Sequence, residues 1–188
     1  MNEIRLSNGN KKIGKDTLII NMNSATDCPS HELGLCSIEG TKCYALKSER
    51  CYPEVLPYRR DQAMYWGTHS SSEIARDLQD VLSRKRKPID YIRFSEAGDF
   101  ERQWDVDKMK DIASRVPEVK FYGYTARKDL SFVGLPDNMV VNGSGFMVSN
   151  MFTAVKQVAE REVQCPGDCR ECNLCKGARG LDIKVLYH

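Results

Sequence analysis

Eight cysteines stand in this chain of 188 residues, and they fall into two groups of four. Cys165, Cys169, Cys172 and Cys175 crowd into "CPGDCRECNLC", with the spacing C-x3-C-x2-C-x2-C. A C-x2-C-x2-C run is the local pattern with which bacterial ferredoxins surround three corners of a cubane iron–sulfur cluster. Cys169, Cys172 and Cys175 supply that run, and Cys165 is placed for the fourth iron or for a second cluster. Structural zinc also takes four thiolates, but its usual arrangement is two C-x2-C pairs far apart. Four ligands this close in sequence suit an object larger than one ion. The expected cofactor is therefore a [4Fe–4S] cluster, with zinc as the alternative.

Cys28, Cys36, Cys43 and Cys51 are spaced C-x7-C-x6-C-x7-C. Loops of that length can fold around a metal, but the spacing is not diagnostic. The first three are the better ligand set. Cys51, just before Tyr52-Pro53, has the alternative reading of a buried thiol. His31 lies inside the same loop and reads as an exposed loop histidine more readily than as a substitute ligand. Whether the two groups hold two centres or meet in one stays open at this level.

The elements that position these groups follow from periodicity. "DTLIINM" (16–22) is a short apolar run after a turn signal and reads as a buried strand. "PYRRDQAMYWG" (57–67) reads as a helix. "SSSEIARDLQDVLSRK" (70–85) is a clearer one, with Ser70 and Glu73 as a capping box and Ile74, Leu78, Val81 and Leu82 on one face. "DYIRFS" (90–95) is a strand. "WDVDKMKDIASRVP" (104–117) is an amphipathic helix with Val106, Met109, Ile112 and Ala113 inward, stopped by Pro117. "VKFYGY" (119–124) and "NMVVN" (138–142) are strands. A helix is expected near 151–162 on Phe152, Val155 and Ala159, and "DIKVLY" (182–187) closes as a strand. Alternating strands and helices predict βαβ units. The expected fold is one α/β domain over 1–188, a mainly parallel sheet or a partial β/α barrel. Cysteine-rich segments at 28–51 and 165–175 lie toward its two ends. Four or five strands are too few for a complete eight-stranded barrel.

In such folds sites form at the carboxyl ends of the strands. The residues just past those ends are "NSATDC" with Cys28, "SEAGD" with Ser95, Glu96, Gly98 and Asp99, "TARKD" with Thr125 and Arg127, and "NGSG" with Asn142 and Ser144. Turn-making and helix capping account for many small polar residues. Glu96 and Asp99, two carboxylates within four residues, exceed what a single cap needs. Glu96, Asp99, Thr125 and Arg127 are the candidate catalytic set, and Ser95, Gly98, Asn142 and Ser144 the candidate cofactor-binding set.

Composition narrows the class. Charge is nearly balanced, with 28 basic and 26 acidic residues and a net +2, so no strong steering toward nucleic acid or an anionic membrane follows. "SRKRKP" (83–88) is the one dense basic run and reads as a solvated helix end. No stretch has the apolar length of a membrane span, and the polar N-terminus lacks a signal-peptide core. The expectation is a cytoplasmic protein with no membrane partner. A reducing compartment favours metal or redox use of the cysteines over disulfides.

Taken together, "CPS" (28–30), "KCYALK" (42–47), "RFSEAGDF" (93–100), "FYGYTAR" (121–127) and "CPGDCRECNLC" (165–175) resemble the gene product 88-like family of phage and mobile-element proteins. The resemblance runs from about residue 17 onward and implies cysteine-rich cluster binding without naming a reaction. One departure is "SEAGDF", where the family pattern is a shorter Ser-Gly-Asp-Phe. A more distant similarity is to radical S-adenosylmethionine enzymes. These place three cysteines after the first strand of a partial barrel and bind the cofactor's amino group at the end of the second. Here Cys28, Cys36 and Cys43, then Glu96 and Asp99, occupy those places. The spacing differs, because the C-x3-C-x2-C of that superfamily occurs only at the far end, as Cys165, Cys169 and Cys172.

The function expected from the residues is iron–sulfur binding, with two clusters and redox or radical-type catalysis at a strand-edge pocket. S-adenosylmethionine is then a candidate ligand and an electron donor a candidate partner. The alternative is a zinc-stapled structural or nucleic-acid-binding module using the basic run and Tyr122 and Tyr124.

Overall fold

The computed structural model describes residues 4–36 and 43–186. It is built on one sheet of eight strands: β1 (Ser7–Asn8), β2 (Thr17–Ile20), β3 (Tyr91–Phe94), β4 (Lys120–Thr125), β5 (Met139–Ser144), β6 (Asn150–Val155), β7 (Val163–Gln164) and β8 (Asp182–Leu186). Their order is β1-β2-β3-β4-β5-β6-β8-β7. Only the β1–β2 pair is antiparallel, so the sheet is mainly parallel, as the alternation requires. The five helices are α1 (Pro29–Glu32), α2 (Tyr44–Cys51), α3 (Val55–Thr68), α4 (Ser71–Ser83) and α5 (Gln103–Arg115). The expected last strand extends to Tyr187, which lies with His188 outside the described residues.

The sheet has two unlike faces, because side chains alternate along each strand. Leu18, Ile20, Ile92, Phe94, Phe121, Met139 and Val141 point one way and form a core with Tyr65, Trp66, Ile74, Leu78, Met109 and Ile112 of α3, α4 and α5. Each such large apolar side chain, fully buried, contributes about 1.5–3 kcal/mol. α4 starts where the sequence places it: Ser70 caps Glu73 and Glu73 returns the bond to Ser70 N–H. Register puts Arg93 beside Tyr122 and Tyr124 beside Asn142 on the opposite face. Among the described residues no long helix lies against that face; the late cysteine segment lies there instead.

The helix expected near 151–162 is absent. Asn150–Val155 is β6, paired in parallel with both β5 and β8. Phe152, Thr153 and Val155 are β-formers, and their spacing suits either period over so short a run. Pairing on two sides decides for strand. Ala159–Glu162 forms a turn, with Glu162 N–H donating to Ala159 C=O. The chain reaches β6 from β5 in five residues, through Gly145 at φ 78°, with no crossover helix.

Candidate functional site: two cysteine groups on one sheet

The loop after β2 is shaped before any cysteine is reached. Glu49 of α2 accepts from Ala25 N–H (2.7 Å), Thr26 N–H (2.9 Å) and Thr26 Oγ1 (2.7 Å). Arg59 of α3 donates to the same carboxylate at 2.7 Å, with both side chains buried. Burial opposes the charge on Glu49, yet these donors outweigh it and hold its pKa below the ordinary carboxylate value. A buried ion pair survives only when its remaining hydrogen-bonding sites are satisfied, and here they fix the loop, α2 and α3 to one another.

Cys28 then stands at the N-terminal boundary of α1 and Cys43 at that of α2, neither side chain closing a capping bond. Cys28, Cys36 and Cys43 line one cavity of about 160 Å³ at the carboxyl edge of the sheet. Its other walls come from the ends of β3, β4 and β5: Ser95, Glu96, Gly98, Asp99, Thr125 and Ser144, with Tyr44 and Tyr124. Cys51 is exposed and sits at the far end of α2 from Cys43, about 12 Å away by helical rise. It is neither a buried thiol nor part of the cavity. His31 is exposed, as expected, and also lines the cavity.

The polar residues expected at the strand ends have distinct places. Asp99 is buried and accepts four bonds: Ser30 Oγ (2.6 Å), Thr125 Oγ1 (2.7 Å), and the N–H groups of Ala126 and Phe100 (2.8 Å each). Burial pushes its pKa up, against the pull of those donors. Asp99 and Thr125 thus tie α1, β3 and β4 together beneath the cavity. Arg127 is outside the lining; it pairs with Asp129 and donates to the Phe100 and Glu101 carbonyls. Gly98, at φ 71°, is where Asn23 fits: an added Cβ would stand 1.8 Å from Asn23 Oδ1. Ser95 takes a left-handed backbone (φ 52°), unusual for a residue with a side chain. Its buried hydroxyl lines the cavity and has no partner among the described residues. Glu96 is half-buried, with Arg59 Nη2 at 3.7 Å.

The late group lies on the free face. Asn142, buried in β5, donates to Gly123 C=O and Cys175 C=O at 3.0 Å each. Asn150 donates to Asn142 Oδ1 (3.0 Å) and Ala178 C=O (2.8 Å), and accepts from Leu181 N–H (3.0 Å). Tyr91 Oη donates to Asn173 Oδ1 at 3.1 Å. Cys169 N–H reaches Lys12 C=O and Cys165 N–H reaches Lys184 C=O. The segment is therefore clamped by side chains of β3, β5 and β6. Asn142, expected at a cofactor, is committed to this clamp.

Burial is the first cause raising the thiol pKa values in both groups. Cys28 is pushed to about 11, with Asp99 and Cys36 adding to the rise. Cys175 is also pushed to about 11, and Cys165, Cys169 and Cys172 each add to it. Cys169 moves up in turn under Cys165 and Cys172. The four late thiols thus act on one another, and Cys165 belongs with them. Among the described residues, no three His, Cys, Asp or Glu side chains are grouped as ligands of a metal ion. Tyr122 is buried and Tyr124 half-buried beneath this segment, so neither is an exposed stacking platform. The "SRKRK" run is exposed before β3, at the opposite edge from the cavity.

The molecule is thus a cysteine-rich α/β protein with an open, mainly parallel sheet, thiols at its carboxyl edge and thiols on its free face. Within that class it belongs to the Gene product 88 family, whose model matches residues 4–165. The match takes in the early cysteines and Cys165 and ends before Cys169, Cys172 and Cys175. No match is found among curated proteins or among solved structures. No described helix is long and apolar enough to cross a membrane.

Sequence reasoning does not find Glu49 and Arg59. They lie ten residues apart on different helices, and only the packing of α2 on α3 brings the two together. Asn150 is likewise hidden, since it stands just before the helix expected near 151–162 and only the structure places it in a central strand.

Proposed function

We propose that this chain binds iron–sulfur clusters at two places. Cys28, Cys36 and Cys43 would hold one, and Cys165, Cys169, Cys172 and Cys175 the other. The observation that carries the reading is that three cysteines separated by loops of six and seven residues line one small cavity with the strand-end residues Ser95, Glu96 and Ser144. Thiols scattered as small core hydrophobes have no reason to converge there. The donor set fits: soft thiolates suit iron–sulfur clusters, and the late spacing is that of a cubane site.

The early centre is the one placed for chemistry. Cys28, Cys36 and Cys43 would hold a cubane by three thiolates, so one iron would lack a protein ligand and face a small molecule entering the cavity. A cluster supplies one-electron chemistry when bound. The protein's part is to orient the incoming molecule. The unpartnered Ser95 hydroxyl, the Glu96 carboxylate and Ser144 are available for this, while Asp99 and Thr125 hold the walls. S-adenosylmethionine is the candidate ligand, from the place of Cys28, Cys36, Cys43 and Glu96 along the strands. The late centre would relay electrons from a donor.

Anaerobic purification followed by iron and acid-labile sulfide quantification tests the reading. About eight of each per chain corresponds to two clusters and about four to one. A colourless protein carrying zinc and no sulfide would overturn it. Release of 5′-deoxyadenosine from S-adenosylmethionine by the reduced protein tests the ligand separately.

A further inference from the structure

The free face of the sheet carries two largely buried cations, neither within ion-pair distance of an acid among the described residues. Arg93 stands on β3 at the centre of that face, with its Cζ 5.5 Å from the Tyr124 ring centroid. Its Nη2 reaches Tyr44 Oη at 3.4 Å, and its Nε is buried without a partner. Lys176 follows Cys175 directly, is only 2% exposed, and sets its Nζ 4.1 Å from the Tyr91 ring centroid. Neither cation forms an ion pair among the described residues, whereas Arg59, the buried arginine next door, has Glu49 at 2.7 Å. A cation withdrawn from water without an opposite charge is costly, and cation–π contact offsets only part of that cost.

Glu96 acts on Arg93 from the side of the early cavity, and the late cysteine segment lies across the same sheet face. It meets Tyr91 through Asn173 and Asn142 through Cys175, on either side of the Arg93–Tyr124 pair. Four thiolates around a cubane leave a net negative charge, which grows when the cluster is reduced, and nearby cations favour the reduced form. We propose that Arg93 and Lys176 are the fixed counter-charges of the centre held by Cys165, Cys169, Cys172 and Cys175, and that they hold its reduction potential up. The inference rests on the cluster reading above and adds to it which residues set the potential. Arg93 also touches Tyr44, whose hydroxyl donates to Glu96 C=O at 2.6 Å in the early cavity. The same guanidinium therefore stands between the two cysteine groups.

The test is an anaerobic redox titration of the loaded protein, followed by the electron paramagnetic resonance of the reduced cluster. Arg93→Gln and Lys176→Gln are each expected to retain full iron and sulfide and to shift the late centre's midpoint potential to more negative values. Arg93→Lys is expected to stay near the unsubstituted protein. The late signal is assigned as the one lost in Cys172→Ser. Thermal melts give a second readout. Without iron, Arg93→Gln should melt no lower than the unsubstituted protein, because an uncompensated charge has been removed; with iron it should melt lower. An unchanged potential at full iron and sulfide would overturn the counter-charge role and leave the cluster reading intact. Failure of Arg93→Gln to fold without iron would also overturn it. Absence of iron and sulfide from the unsubstituted protein would overturn the cluster reading and, with it, this inference.

Discussion

The early and late cysteine groups use the same atom type in opposite settings. The early thiols stand at the carboxyl edge of the sheet, on loops, around a cavity open to a small molecule. The late thiols lie flat against the sheet face, their backbone gripped by side-chain amides from β5 and β6. Charge follows the same division: Glu96 and Asp99 accompany the early group, Arg93 and Lys176 the late one. An edge offers access and a face offers confinement. A sheet that keeps one face free of long helices can provide both.

Cysteine substitutions test that division with the largest expected effect. Cys28→Ser and Cys172→Ser should each remove about half of the bound iron and sulfide, leaving the other half, if the centres are separate. Loss of all iron from either variant would merge the two groups into one site. Cys51→Ser, at the exposed end of α2, should leave metal content unchanged, and any loss would move Cys51 into the early centre.

Next comes the Glu49–Arg59 pair, which shapes only the early loop. Glu49→Gln leaves Arg59 with only the longer Glu96 contact at 3.7 Å and should cost about 3 kcal/mol in chemical denaturation, the low end for a broken buried pair. Iron loss should be confined to the early centre. The sign with pH follows from the lowered pKa of Glu49. The unfolded chain takes up its proton first, so this stabilisation is present above the ordinary value of 4.5 and drains away as pH falls below it. Glu49→Gln should flatten that part of the acid limb of an unfolding curve measured against pH.

The late clamp should be worth less per residue. Asn142→Ala removes two donated bonds and leaves carbonyls of Gly123 and Cys175 without them, a loss of about 1–3 kcal/mol. Hydrogen exchange should rise in residues 165–181 and stay level around Cys28. A change of equal size at both places would break the comparison.

Much of the frame was legible from residue patterns. β2 to β5 and α3 to α5 fall where periodicity and capping put them, because each carries a local signal: an apolar run, a capping box, a proline stop. The convergence of polar strand ends on one cavity also followed from the parallel topology. β6 was misread because "NMFTAV" is too short to fix a period, and its strand character comes from partners on both sides. The roles of Asp99, Gly98 and Asn142 were visible only as unusual residues near the site. That they hold the walls and the clamp depends on Ser30, Asn23 and Cys175, distant in sequence. The cations of the free face left no mark at all, since an arginine in "YIRF" reads as an outward-facing residue of a strand.

The strand order has a consequence for how the protein is made. From β1 to β6 each new strand lies beside the one before it, so the growing polypeptide can extend its sheet as it leaves the ribosome. The order breaks only at the end, where β8 inserts between β6 and β7 and carries the late cysteines into place. Until that insertion, the tyrosines and Arg93 on the free face stand uncovered. The last four thiols are thereby seated only after the earlier strands have paired, when the early thiols can already line their cavity.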